Sequence, residues 1–397
     1  MNEEQNLFHK EEQYFFHTYH RLGLDIDRGE GVYLFAKDGK RYLDFFGGLA
    51  VNALGYNHPR VNQAIINQVH KYIHLSNYYV QEPQVRLAER LVKATGFKRV
   101  FFGNSGTEVV EGAIKLARKW GSTNGKTNLI GLSNSFHGRT MGALSLTERP
   151  KYREGYEPFL PNVSHIEFNN VGQLRTAVNE QTLGVILEFI QGEGGVFVVN
   201  SEFASALNEL RQKFGFLIIA DEIQAGMGRT GKFFGFENFG VHPDIVVIAK
   251  AIGGGLPLGA FLGNERVADV LSYGAHGTTF GGNPVACAAG NVVLEEILEK
   301  GLMKQAGEIG GYLKKEFEKL KMQFPKLVKE VRGHGCMLGI ELTQDGQPVV
   351  DKMQERGFLV NCTHQTVLRF LPPYIVTKEH CDSMVGELKD VLRGIAG

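Results

Sequence analysis

The chain has 397 residues, and its 43 Lys plus Arg balance its 43 Asp plus Glu. At about 150 residues per domain, this length predicts two to three domains, or one large α/β domain with an appendage. The zero net charge excludes a general attraction for nucleic acid or for an anionic membrane, so small molecules and protein surfaces are the expected partners. Glycine is the outlier, with 50 residues where about 7% of a chain is usual.

The predicted elements begin with a short amphipathic stretch and a hairpin. The hairpin strands cover 31–36 and 40–45, on either side of the turn Lys37-Asp38-Gly39. From about residue 60, helical patterns alternate with short β-branched runs. The predicted strands in this part are 99–102, 128–132, 183–187, 216–220 and 244–248. Strands that alternate with helices are typical of a mainly parallel sheet covered on both faces.

The last part of the chain predicts an α+β unit apart from that sheet. It has a charged helix over 292–324, strands at 335–342 and 367–370, and a closing helix from Thr377. No metal site is predicted, because the cysteines are widely spaced and His70 and His74 lack the glutamate of a zinc motif. The acidic amino terminus does not resemble a signal peptide, and no apolar run reaches the roughly 18 residues of a membrane helix, so we expect a cytoplasmic protein.

A predicted strand runs directly into a helix start at Asn104-Ser105-Gly106-Thr107-Glu108. The free backbone N–H groups and the positive dipole end of a helix amino terminus are suited to holding a phosphate. We therefore predict a phosphate site at Ser105, Gly106 and Thr107. A plain capping box, in which a Ser or Thr is followed by a Glu, is the alternative.

Two more polar side chains follow apolar strands. Asp221 follows the run 217–220 and Lys250 follows the run 245–249, and ligands of parallel sheets bind at the carboxyl ends of strands. A lysine in such a buried position should have a lowered pKa and act as a nucleophilic amine. The alternatives are a lysine that reaches the surface and an aspartate that only caps the strand end.

A phosphate cradle, a buried acid and a buried amine are the parts that pyridoxal phosphate requires. The amine forms a Schiff base with the cofactor aldehyde, and the carboxylate keeps the pyridine nitrogen protonated so that the ring can accept electrons. The sequence therefore predicts pyridoxal 5'-phosphate as the cofactor.

Longer motif strings surround these three sites. They are GGLAVNALGYNHP (47–59), NSGTE (104–108), SFHGRT (135–140), IQGEGG (190–195), DEIQAGMGRTG (221–231), AKAIGGGLPLGA (249–260), HGTTFGGNP (276–284) and LRFLPP (368–373). In these strings the chain resembles the class III aminotransferases of the fold-type I pyridoxal-phosphate enzymes, and within them the acetylornithine and ornithine aminotransferases. The resemblance runs from about residue 15 to the end.

The resemblance implies a role for each matching residue at the cofactor. Lys250 would be the Schiff-base lysine and Asp221 the partner of the pyridine nitrogen. Gln224 would hydrogen-bond the phenolic oxygen, and Phe136 would stack on the ring. Thr279 would complete the phosphate site from the other subunit, which implies a homodimer.

The resemblance also implies the substrate contacts. Arg139 would bind the distal carboxylate and Arg369 the α-carboxylate, for which planar guanidinium groups are suited. Glu193 resembles the family's gate residue, a movable carboxylate that neutralises Arg369 while an ω-amine donor is bound. Thr278 would lie near the substrate, and Tyr19 would contact the amino donor, with half-buried packing as the alternative for Tyr19.

The resulting prediction is a fold-type I α/β transferase. A large domain over 48–285 would carry a mainly parallel seven-stranded sheet, and residues 1–47 and 286–397 would form a small α+β domain. The predicted reaction moves the terminal (δ) amino group of N-acetylornithine to 2-oxoglutarate, giving N-acetylglutamate semialdehyde and glutamate. Ornithine is the next donor, followed by succinylornithine, 4-aminobutyrate and diamines. A pyridoxal-phosphate aminomutase or racemase, and a non-catalytic binding protein derived from the enzyme, are the other hypotheses.

Overall fold

The amino-terminal part of the structure forms a small antiparallel sheet followed by three helices. The structure is a computed structural model and describes residues 7–396. The first elements are α1 (Leu7–Tyr14), β1 (Ile26–Glu30), β2 (Tyr33–Ala36), β3 (Arg41–Asp44), α2 (Gly47–Ala50), α3 (Pro59–Lys71) and α4 (Glu82–Thr95). Strands β2 and β3 pair antiparallel, which confirms the predicted hairpin. Residues 1–6 and 397, which the predicted small domain includes, lie outside the described residues.

A mainly parallel sheet of seven strands forms the middle of the chain. Its strands and covering helices are β4 (Arg99–Gly103), α5 (Gly106–Asn124), β5 (Asn128–Leu132), α6 (Met141–Leu146), α7 (Pro150–Arg153), β6 (Val163–Ile166), α8 (Val171–Ala177), β7 (Thr182–Leu187), α9 (Ser201–Phe214), β8 (Leu217–Asp221), β9 (Ile245–Ile248) and β10 (Gly259–Gly263). The spatial order is β4-β10-β9-β8-β7-β5-β6. Only β10 runs antiparallel to its neighbours, so the predicted parallel α/β fold is confirmed.

The central strands are buried on both faces, which explains their continuous apolar sequences. Along β8, Ile218 and Ala220 pack into one hydrophobic cluster, whereas Leu217 and Ile219 pack into another on the opposite face. Helix α9 contributes to the first cluster and α5 to the second. Because both faces are covered by helices, a polar residue that follows such a strand can reach a ligand only at the carboxyl edge of the sheet.

The carboxyl-terminal part adds a second antiparallel sheet. Its elements are α10 (Pro284–Leu298), α11 (Leu302–Gln323), β11 (Val328–His334), β12 (Met337–Leu342), α12 (Gln347–Glu355), β13 (Phe358–Leu359), β14 (Asn361–Thr363), β15 (Val367–Phe370) and α13 (Lys378–Ala396). Strands β11, β12, β15 and β14 form the sheet in that order. Strand β13 instead pairs parallel with β3, so residues from both ends of the chain share one sheet.

One predicted helix was wrong. The pattern over 292–324 was read as a single helix, but α10 and α11 are separated at Gly301, whose φ is +84°. This left-handed conformation cannot continue a right-handed helix, and glycine adopts it without a steric penalty. The predicted domain boundary at residue 285 falls at the start of α10, and the division into two domains stays a prediction. No helix in the part of the chain that the structure describes has the length and apolar character needed to cross a membrane.

Candidate active site

The carboxyl ends of β7, β8 and β9 and the amino end of α5 surround a cavity of about 420 Å³. Nine of the predicted site residues line it: Ser105, Gly106, Thr107, Phe136, Arg139, Glu193, Asp221, Gln224 and Lys250. Arg369 is buried and contacts the cavity through Glu193 and Gln224. The structure therefore brings together residues that are far apart in the sequence. They meet at the carboxyl edge of the sheet, where the sequence predicts the ligand site.

The start of α5 combines a helix cap with free backbone donors. Ser105 is the N-cap residue, and its hydroxyl accepts a hydrogen bond from the backbone N–H of Glu108 over 3.3 Å. Within residues 7–396, the backbone N–H groups of Gly106 and Thr107 have no hydrogen-bond partner. The capping alternative is therefore correct for the Ser105 side chain, while the next two N–H groups remain available to an anion.

Thr107 also fixes the neighbouring loop. Its hydroxyl accepts hydrogen bonds from the backbone N–H groups of Arg139, over 3.1 Å, and Thr140, over 3.2 Å. A Cβ at Gly138 would lie 2.3 Å from the Thr107 Oγ1, so this loop reaches the helix only because Gly138 has no side chain. The contact places Arg139 at the exposed edge of the cavity.

Lys250 follows β9 and begins a 3₁₀ turn. Its φ is +52°, in the left-handed region that residues other than glycine rarely adopt, and such backbone strain clusters at functional sites. Burial lowers the pKa of the Lys250 amine, although the charge of Glu193 opposes the shift. Among the described residues, none forms a hydrogen bond or ion pair with the Lys250 Nζ. The amine is therefore a desolvated group that lines the cavity without an internal partner.

Asp221 is the last residue of β8 and is 3% exposed. Its carboxylate accepts a hydrogen bond from the Ile223 backbone N–H over 3.1 Å and contacts the Nδ1 of His137 over 2.7 Å. His137 is buried, and its Nε2 has no hydrogen-bond partner in the described chain. No role was predicted for His137, although it lies in the same SFHGRT string as Phe136 and Arg139. The backbone N–H of Ile223 and the ring of His137 therefore orient the Asp221 carboxylate, which lines the cavity.

Glu188 is a second cavity residue to which the sequence argument gave no role. It directly follows β7, and Asp221 ends β8, so the same strand-end signal was present. Its carboxylate accepts hydrogen bonds from the backbone N–H groups of Phe136 and Gly192, each over 3.0 Å. Burial, reinforced by the charge of Asp221, raises the pKa of Glu188. Glu188 thus connects the loop that carries Phe136 to the loop that carries Glu193.

Arg369 and Glu193 form a buried ion pair at the cavity wall. The Arg369 Nη1 donates to Glu193 Oε1 over 2.6 Å and to Gln224 Oε1 over 3.2 Å, and its Nε donates to Asn361 Oδ1 over 2.9 Å. Burial alone would raise the pKa of Glu193, but the charge and hydrogen bond of Arg369 lower it to about 2. Glu193 is therefore ionised and neutralises the arginine.

Comparison with known proteins identifies the family of this chain. Residues 14–392 match the family model of class III aminotransferases. The chain belongs to the class III aminotransferases. Acetylornithine aminotransferase of Methanocaldococcus jannaschii is 44% identical over 397 residues, which cover 99% of each chain. The acetylornithine aminotransferase of Aquifex aeolicus is 45% identical over 382 residues, covering 96% of this chain and 100% of that protein.

Solved structures of other aminotransferases have the same fold. The ornithine aminotransferase from Toxoplasma gondii superposes with a TM-score of 0.93 at 30% identity, covering 98% of this chain and 94% of that one. An aminotransferase of Bacillus anthracis gives a TM-score of 0.89 at 29% identity and covers 97% of both chains. The predicted fold-type I architecture and the predicted enzyme class, a pyridoxal-phosphate-dependent transaminase, are confirmed.

Besides Arg369, which lies behind Glu193 and Gln224, three predicted site residues of this class III aminotransferase do not line the cavity of their own chain. Tyr19 is 73% exposed and contacts the guanidinium of Arg21 instead. The Thr278 hydroxyl donates to Glu108 Oε1 over 3.0 Å, and Thr279 is exposed. The predicted actions of Thr279 on a second subunit's site and of Tyr19 on the amino donor stay predictions.

The cavity fits the cofactor of class III aminotransferases. Free N–H groups at Gly106 and Thr107 suit a phosphate, and the oriented carboxylate of Asp221 suits a protonated pyridine nitrogen. The unpartnered amine of Lys250 suits an aldehyde. A volume of about 420 Å³ is in the usual range for small-molecule sites.

Proposed function

We propose that this class III aminotransferase transfers the δ-amino group of N-acetylornithine to 2-oxoglutarate, giving N-acetylglutamate semialdehyde and glutamate. One observation carries the proposal: Arg139 lines the cavity and Arg369 lies behind its wall, and only Arg369 is neutralised by a carboxylate, Glu193. Such an arrangement suits a dicarboxylic acceptor and, alternately, a donor with a single carboxylate. The identity of 44% and 45% to two acetylornithine aminotransferases, over nearly the whole chain, supports the same donor.

Pyridoxal phosphate is the proposed cofactor, and when bound it supplies an aldehyde and an electron-accepting ring that makes the substrate carbon acidic. Its phosphate would be held by the α5 amino terminus, its ring by Phe136, its phenolic oxygen by Gln224 and its pyridine nitrogen by Asp221. We propose that His137 orients the Asp221 carboxylate, because the two side chains are 2.7 Å apart and buried. Lys250 would hold the cofactor covalently between turnovers.

Lys250 is the proposed general base and acid. Because burial lowers the pKa of its amine, the released Lys250 is more readily neutral and able to accept a proton. It takes the proton from the substrate carbon that bears the reacting amine. Once protonated, the same ammonium group would serve as the acid that completes the proton transfer. One residue thus serves both directions of the transfer.

Arg139 and Arg369 are proposed to bind different carboxylates. Arg139 is exposed at the cavity edge and has no carboxylate partner in residues 7–396, so its donors are free for the distal carboxylate of either substrate. Arg369 would bind the α-carboxylate of glutamate or 2-oxoglutarate after Glu193 moves away. With an ω-amine donor, no carboxylate reaches Arg369, and Glu193 keeps the buried guanidinium paired.

The charges near Arg139 favour an acetylated donor over ornithine. Arg149 and Lys151 lie with Arg139 around the ring of Tyr152, at 5.0, 5.0 and 3.8 Å from its centroid. Of the three cations only Arg139 lines the cavity, and the free α-ammonium group of ornithine would lie beside it, whereas the acetamido group of N-acetylornithine is neutral. Ornithine aminotransferase activity remains the second candidate, which the fold similarity to the Toxoplasma gondii enzyme supports.

The experiment compares N-acetylornithine and ornithine as donors with 2-oxoglutarate, using the cofactor-loaded enzyme. We expect kcat/KM to favour N-acetylornithine by at least about tenfold, or 1.4 kcal/mol. A preference for ornithine of that size would support the second candidate. Turnover in which no glutamate appears would contradict transamination to 2-oxoglutarate and favour an aminomutase or racemase.

We further propose that the enzyme is a homodimer in which Thr279 completes the phosphate site of the partner subunit. Thr279 is exposed and does not line its own cavity, as that role requires. The nearby Tyr273 and Phe280 are also strongly exposed, and large exposed apolar side chains are typical of surfaces that another subunit covers. Light scattering of the loaded enzyme tests the proposal, and a monomer with full activity would contradict it.

A further inference from the structure

We propose that Tyr152 is a positioning residue that holds the guanidinium of Arg139 at the cavity edge for the distal carboxylate of the substrate. The inference rests on the proposed function, because it takes Arg139 as the residue that binds this carboxylate. Tyr152 lies in α7 and is itself outside the cavity lining. Its influence on the substrate would therefore pass through Arg139.

The contact between the two side chains is close and carries no ion pair. The Cζ of Arg139 lies 3.8 Å from the centroid of the Tyr152 ring and 5.5 Å from that of Phe136. Both distances are within the range of a cation–π interaction, and Tyr152 is the nearer ring. Because a ring face binds the guanidinium without using its N–H donors, all of these donors stay available to a carboxylate. An exposed arginine without this contact would sample many rotamers.

Tyr152 is in turn held by its surroundings. Its ring meets Phe136 edge to face, with centroids 5.8 Å apart and an interplanar angle of 80°. Its backbone N–H donates to the carbonyl of Arg149 over 2.9 Å. Arg153, the last residue of α7, donates to the backbone carbonyl of Ser145 over 3.1 Å. This bond attaches α7 to α6, in which Ser145 lies. These contacts hold the Tyr152 ring in the position where the Arg139 guanidinium packs against it.

Arg149, the residue that precedes this short helix, contacts the other carboxylate site. Arg149, next to the Tyr152 ring, donates from Nη1 to the backbone carbonyl of Glu193 over 2.8 Å. Thr363 donates to the same carbonyl over 2.7 Å from β14. One consequence is that the segment 149–152 contacts both the residue that would bind the distal carboxylate and the residue that pairs with Arg369.

The test compares Tyr152→Leu with Tyr152→Phe in the cofactor-loaded enzyme. The leucine variant removes the aromatic face, and the phenylalanine variant keeps it. We expect Tyr152→Leu to raise KM for 2-oxoglutarate by about 3- to 10-fold with kcat little changed, and Tyr152→Phe to remain within about twofold of the wild type. The absorbance of the bound cofactor, equal in all three proteins, shows that the site has folded.

A binding measurement separates positioning from a general packing role. The inhibition constant of glutarate, which has a distal carboxylate, should rise by about 3- to 10-fold in Tyr152→Leu, while that of butyrate, which has none, should not. An equal rise for both acids, or no change for glutarate, would overturn the proposal. Failure of the proposed function is a different result, because the wild-type enzyme would then transfer no amino group to 2-oxoglutarate.

Discussion

The guanidinium of Arg369 donates to the carboxylate of Glu193 over 2.6 Å, although the two residues are 176 positions apart in the chain. Arg369 lies on β15 and Glu193 in the loop after β7, and the Arg369 side chain is only 1% exposed. An unpaired guanidinium at this position would be costly, because a buried charge needs a partner. The proposed function therefore requires that Arg369 exchanges Glu193 for a substrate carboxylate when the acceptor binds, so that its charge is paired throughout.

Glu193→Gln should change the donor preference of the enzyme. The amide cannot neutralise Arg369, so the cavity keeps a net positive charge while an ω-amine donor binds. We expect the rate of the half-reaction with N-acetylornithine to fall by about tenfold or more, and the rate with glutamate to be retained, because the α-carboxylate of glutamate pairs with Arg369 directly. Stopped-flow absorbance of the loaded enzyme measures both rates.

Glu209→Gln is the matched control for this prediction. Glu209 also pairs with an arginine, Arg175, over 2.7 Å, but both side chains are about half exposed and neither lines the cavity. Its replacement should leave both half-reactions unchanged. If Glu193→Gln lowered the half-reaction rates with N-acetylornithine and with glutamate equally, Glu193 would not act as a gate. The substitution would then have damaged the site in general.

Glu222 should make the stability of the enzyme depend on pH. It is 1% exposed and accepts hydrogen bonds from the backbone N–H groups of Gly235, over 2.7 Å, and Phe236, over 2.9 Å. Burial outweighs these bonds and raises the pKa of Glu222 from 4.5 to about 8. Since the folded state holds the proton up to a higher pH than the unfolded state, the free energy of unfolding should fall as pH rises from 4.5 to 8.

The variant Glu222→Gln cannot ionise, so its free energy of unfolding should vary less with pH over this range. Urea unfolding of the loaded enzyme at several pH values measures the difference from the wild type. Glu202→Gln is the control, because Glu202 is an exposed glutamate in the first turn of α9. Parallel pH curves for the wild type and Glu222→Gln would show that Glu222 ionises normally.

Much of the cofactor site could be predicted from strand ends alone. The runs before Asp221 and Lys250 are wholly apolar, and both strands are buried over their full length. Parallel strands end at one edge, so two polar residues that follow such runs must lie near each other. The same reasoning applies to Glu188, and its role was missed only because no partner for it could be seen in the sequence.

Other features could not be derived from residue patterns. The pairing of Arg369 with Glu193 links two sheets, and no periodicity connects residues so far apart; only the resemblance to a family suggested it. Strand β10 was not predicted, and a run of apolar residues does not reveal that a strand is antiparallel. Tyr19 was expected near the amino donor, yet its side chain is exposed and contacts Arg21.

The half-reaction with N-acetylornithine tests the central claim most directly. When this amine is added to the enzyme loaded with pyridoxal phosphate, we predict that the visible absorbance of the bound aldehyde form is lost. Addition of 2-oxoglutarate should restore it, with one glutamate formed per site, and Lys250→Ala should show neither change. A wild-type spectrum that stays constant, or an absorbance that 2-oxoglutarate does not restore, would contradict the proposed transfer.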